Sequence, residues 1–68
     1  MSNAERVAKG LLIFMKYDPE SDVYAEHDII YAGPSRKNLG EISDVDAIEL
    51  KKLGWHHDKE YDSWAKFV

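Results

Sequence analysis

The 68-residue chain contains no cysteine. That excludes a disulfide framework, a thiolate zinc site and a cysteine nucleophile. Long apolar runs are also missing. The longest, Leu11-Leu12-Ile13-Phe14-Met15, has five residues and lies inside a helical pattern. A membrane span needs ~20, so no membrane partner is expected. A secretory signal is not expected either, because a basic start, an apolar middle and a small-residue cleavage site do not occur in that order. Basic residues are in the minority, nine Lys and Arg against thirteen Asp and Glu, for a net charge of −4. Binding to phosphate needs clustered Lys and Arg, so nucleic acid is not an expected partner. No glycine-rich phosphate loop occurs, and no cofactor is expected.

The composition nonetheless supports a folded core, at 44% apolar and 12% aromatic residues. One domain is the reasonable count. A chain this short buries only about 60% of its unfolded surface. Without disulfides, the remaining aids are a metal, very good packing or a second subunit. Ser2-Asn3-Ala4 resembles the remnant of a cleaved tag; if it is one, the natural chain starts near Glu5.

A first helix is expected from about Ala4 to Lys16 or Tyr17. Asn3 can cap it, and Glu5 suits its positive end. Val7, Leu11, Phe14 and Met15 form one buried stripe, widened by Ala8 and Leu12. Ile13 falls outside that stripe, beside Arg6, Lys9 and Lys16. Asp18-Pro19 ends the helix. A long strand from about Asp22 to Ala32 follows, in which Val23, Ala25, His27, Ile29 and Tyr31 share a face. His27-Asp28 marks a bend, a bulge or a tight hairpin turn. Residues 35–42 read as a polar loop with Arg36 and Lys37. A second helix is expected from about Asp44 to Leu53, with Ser43 as N-cap and Gly54 as left-handed C-cap. Ala47, Leu50, Ile48 and Leu53 face its core.

The ending, Trp55 to Val68, reads as a β-hairpin turning at Asp58-Lys59-Glu60-Tyr61. A loop of two or four residues places His57 opposite Asp62 and Trp55 opposite Trp64; a three-residue loop places Trp55 opposite Ala65. The first register is favoured, because a cross-strand aromatic pair contributes up to ~1 kcal/mol. The fold expected is a small α+β domain, α-β-α-β-β, with three mainly antiparallel strands and two helices on one face. The last strand is apolar on both faces, so it belongs between the other two. One face is covered by the helices. The other, with Trp55, Trp64 and Val68, together with Ile13 on the helix, has no third layer and forms the candidate interaction surface. It predicts a homodimer or a docking site for another protein.

Signs of chemistry are sparse. His56-His57-Asp58, with Glu60, Asp62 and His27 nearby, is the nearest approach to a metal constellation. Adjacent strand residues point to opposite faces, so His56 and His57 cannot both reach one ion without a bend. His57 facing Asp62 would favour its protonation. None of Ser2, Ser21, Ser35, Ser43 and Ser63 sits in a nucleophile-elbow pattern. A domain this small leaves little volume for a pocket of ~300 Å³. An enzyme is therefore not expected. An acidic mimic of nucleic acid is a rival reading if Asp44, Asp46, Glu49, Asp58, Glu60 and Asp62 form one face. A small metal-binding domain through His27, His56 and His57 is another.

The stretches 53–68 (Leu-Gly-Trp, an acidic turn, Asp-Ser-Trp) and 24–33 resemble small bacterial proteins, often of phages and prophages, that end this way after a short acidic helix. The resemblance covers about two-thirds of the chain. It implies a bacterial or viral cytoplasmic setting and carries over no activity and no site residue.

Overall fold

The computed structural model describes residues 1–33, 42–60 and 63–67. The expected loop with Arg36 and Lys37, and the residues Asp62 and Val68, lie outside them. Helix α1 spans Asn3–Tyr17 and helix α2 spans Asp44–Lys52. Four strands accompany them: β1 (Val23–Glu26), β2 (Ile29–Ala32), β3 (His56–Asp58) and β4 (Ser63–Phe67). They form one antiparallel sheet in the order β1-β2-β4-β3. The class is α+β as expected, with four strands rather than three. The last strand is central, as expected, paired on one edge with β2 and on the other with β3. No helix among the described residues is long and apolar enough to cross a membrane.

The extra strand comes from the expected 22–32 segment, which folds back at His27-Asp28. Glu26 pairs with Ile29 across that two-residue turn. His27 carries a φ of 56°, in the left-handed region that hairpin turns require. The reversal also changes which residues share a face. Val23 and Ala25 now stand with Ile30 and Ala32, while Tyr24 and Glu26 stand with Tyr31 and Ile29.

Cap chemistry sets the helix ends. Ser2, not Asn3, caps α1: its Oγ accepts from the Glu5 backbone N–H at 3.1 Å. Ser and Glu three apart is the capping-box spacing. Asn3 instead accepts from the Lys66 ammonium at 2.7 Å, tying the start of α1 to β4. Ser43 caps α2 through the Asp46 N–H. Beyond α2 the chain turns through Gly54, whose φ is 95°.

The core lies between the helices and one sheet face. Phe14, Leu50, Leu53, Trp55, Ala32 and Trp64 are buried there, with Val7, Leu11, Ile13 and Ala47 packed around them. Phe14 meets Trp55 edge-on, ring centroids 5.1 Å apart. The buried stripe of α1 is rotated from the expected one: Gly10 and Phe14 are its buried residues, whereas Leu12 and Met15 are exposed. Gly10 is the reason. The indole of Trp55 lies against the bare backbone there and donates from Nε1 to the Arg6 carbonyl at 3.1 Å. On α2, Ile48 is exposed rather than core.

Candidate interaction face and an acidic cleft

Trp55 and Trp64 do not form an outward surface. They are 2% and 6% exposed, in the core under the helices. Ile13 packs against that core as well. The two tryptophans do belong to one side of the hairpin, but it is the side the helices cover. The pairing also differs from both expected registers. His57 pairs with Trp64 and His56 with Ala65. The reason is local: the Asp58 carboxylate accepts the Glu60 N–H at 2.9 Å. This Asx turn starts after Asp58, so Asp58 stays in the strand opposite Ser63.

The sheet face turned away from the helices carries a different set of rings. Tyr24 stacks on Tyr31 across β1 and β2, centroids 6.1 Å apart. His56 stacks on Phe67 across β3 and β4, at 5.5 Å. Ala65 lies between these pairs and is fully buried. Tyr24 and Phe67 are 56% and 62% exposed. Sequence reasoning missed Tyr24, Tyr31 and Phe67 as a surface. Their shared face depends on the His27-Asp28 turn, which carries no Asn-Gly or Asp-Gly signal.

At the other end of the same sheet, where β1 begins and β2 ends, lies a cleft of about 340 Å³. The expectation of little pocket volume fails because the cleft is open to solvent and not carved from the interior. Its walls include Tyr24, Tyr31 and Ser63; Asp18, Glu20 and Asp22 line it too. The turn that presents these acids is fixed by its own hydrogen bonds. Asp18 Oδ1 accepts the Glu20 N–H at 3.1 Å, the Asp18 carbonyl accepts the Ser21 N–H at 3.0 Å, and Ser21 Oγ donates to the Gly33 carbonyl. The Ser63 Oγ is buried and, among the described residues, has no hydrogen-bond partner.

Among the described residues, the rival metal constellation of His27, His56, His57 and Asp58 does not assemble. His56 and His57 face opposite sides of the sheet, against Phe67 and Trp64. His27 sits at the β1–β2 turn. Among the described residues no three histidine, aspartate or glutamate side chains are placed to hold one ion. Of the acids proposed for a nucleic-acid mimic, Asp46 is already engaged. Lys16 Nζ lies 2.7 Å from its carboxylate and the Tyr17 hydroxyl donates to it. The Lys16 hydrogen bond, then that of Tyr17, holds the Asp46 carboxyl below the usual carboxylate range; the same contact raises Lys16. The Tyr17 oxygen also accepts the Ser43 N–H at 3.1 Å, so this cluster joins the end of α1 to the cap of α2.

No protein-family model, no curated protein and no solved structure matches the chain.

Proposed function

We propose that this chain is a non-catalytic protein-interaction module that pairs with a second copy of itself through the sheet face bearing Tyr24, Tyr31, His56 and Phe67. One observation carries the reading: Phe67 and Tyr24 are large rings left 62% and 56% exposed on the face opposite the helices. A second copy is a suitable occupant because a chain of 68 residues gains from added apolar burial, and an isologous contact reuses one patch. The serines support a non-catalytic role in part: Ser2 and Ser43 cap helices and Ser21 holds a turn. A bacterial or phage cytoplasmic setting belongs to the same proposal.

Light scattering behind size exclusion tests it, run from about 1 to 100 μM, the range over which weak to moderate dimers form. The expected mass at the upper end is twice the 7.8 kDa of the monomer. Phe67→Glu should restore the monomer mass while leaving the circular dichroism spectrum unchanged. A 7.8 kDa mass at every concentration would overturn self-association.

A further inference from the structure

We infer that the cleft at the start of β1 receives a basic side chain of a partner protein, an arginine guanidinium by preference. Three features converge on that chemistry. Among the described residues lining the cleft, the charged ones are Asp18, Glu20 and Asp22, all acidic. The wall is the stacked pair Tyr24 and Tyr31, rings 6.1 Å apart, and a tyrosine face attracts an organic cation. Ser63 lines the same cleft, and its buried Oγ is an acceptor left unpartnered among the described residues.

Geometry separates the kinds of cation. A bare metal ion draws its ligands to within ~2.0–2.6 Å, and the carboxylates are not grouped that tightly. A guanidinium is planar, weakly hydrated and spreads its charge over five donors, so it suits separated carboxylates and an aromatic wall. The cleft, about 340 Å³, is at the small end of ligand sites, which run from ~300 to 1,000 Å³. That fits one side chain better than an extended ligand.

The cleft shares Tyr24 and Tyr31 with the proposed dimer face, and the two proposals are told apart at Phe67, the far end of that face. Phe67 pairs with Ile29 at one end of β2, whereas the cleft adjoins Ala32 at the other. The test is an NMR titration of the full chain with N-acetyl-arginine amide, and with the citrulline analogue, which has the same shape and no charge. The expected result is saturable shifts at the amides of Ser21, Asp22, Gly33 and Ser63, with a Kd in the millimolar range suited to a single side chain. The citrulline compound should bind at least about tenfold more weakly, and Asp22→Asn and Tyr24→Leu should each weaken arginine binding severalfold. Running the series on Phe67→Glu as well keeps the two proposals distinguishable, since cleft binding should survive there. Equal binding of citrulline, shifts mapping away from the cleft, or no saturable shift would each overturn the inference.

Discussion

The Trp55 indole occupies the space that a side chain at position 10 would need. A Cβ built on Gly10 would stand 2.1 Å from Trp55 Nε1 and 2.5 Å from Cε2. The contact joins the middle of α1 to the segment between α2 and β3, and Trp55 is 2% exposed within it.

Gly10→Ala therefore sets two effects against each other. Alanine in a helix interior is favoured over glycine by about 1 kcal/mol. Forcing a methyl into a packed core costs typically 1–3 kcal/mol. A gap of 2.1 Å to a large rigid ring is far inside van der Waals contact, so the clash should win. The variant should lose on the order of 1–2 kcal/mol, seen as a lower urea midpoint with an unchanged slope. A stabilised variant would show that Trp55 moves aside freely.

Gly10 also shows where the sequence was readable and where it was not. Both helices were legible, since Ser43, Asp18-Pro19 and Gly54 encode their limits within a few residues of the ends. The covered stripe of α1 was not. A glycine adds nothing to an apolar pattern, yet here it is the centre of the buried face, and it displaces Met15 and Leu12 to the surface. The central place of the last strand followed from its two apolar faces. Which face the helices chose did not, because pattern alone cannot distinguish Trp64 and Lys66 from Ala65 and Phe67. Lys66 is 5% exposed while Phe67 is 62% exposed, the reverse of what residue type suggests. The Lys66 ammonium is accommodated by donating to Asn3 Oδ1, distant in sequence, and to the adjacent Phe67 carbonyl. The cleft was invisible for a related reason: Asp18, Glu20 and Asp22 look like ordinary turn residues until β1 and β2 fold back beside them.

Trp64 and Phe67 should behave oppositely on substitution, though both are aromatic residues of β4. Trp64 is 6% exposed and touches Phe14. Trp64→Ala should cost about 3–5 kcal/mol, enough to unfold much of a small domain. Phe67→Ala removes a ring that is 62% exposed and should change stability by no more than about 0.5 kcal/mol, while weakening self-association. Chemical denaturation and sedimentation velocity on the same samples would separate the two. A large stability loss at Phe67 would assign it to the fold instead.

The β1–β2 turn offers a stabilising change. Among the described residues His27 is the non-glycine residue with positive φ, 56°, and its side chain is 86% exposed. Its partner Glu26 lies 3.9 Å away, a contact worth little at the surface. Side-chain residues are disfavoured in the left-handed region by roughly 1–2 kcal/mol relative to glycine, less the extra unfolded-state entropy of glycine. His27→Gly should therefore raise stability by up to ~1 kcal/mol, or about 4–8 °C in a domain of this size. A lowered melting temperature would mean that the imidazole makes a contact that outweighs its backbone strain.

The Lys16–Asp46 pair gives the fold a defined pH response. Asp46 is held below its usual range first by the Lys16 hydrogen bond and then by that of Tyr17. A carboxyl depressed in the folded state stabilises fully above its unfolded pKa, about 3.9, and that contribution fades as pH falls through the lower folded value. Lys16 is raised, chiefly by its hydrogen bond to Asp46, so its share is present below about 10.4 and is lost as pH climbs through the folded value. The plateau therefore lies between roughly pH 5 and 9. Asp46→Asn should melt below the parent across that plateau, by a modest amount because the Lys16 end is well exposed. The gap should begin to shrink below about pH 4 and close as pH falls through the lower folded value, where the parent carboxyl is neutral in both states. Thermal melts of both chains at pH 7, 4 and 2.5 would read it directly. A gap that stays constant into acid would assign the loss to the Tyr17 and Ser43 hydrogen bonds rather than to the charge.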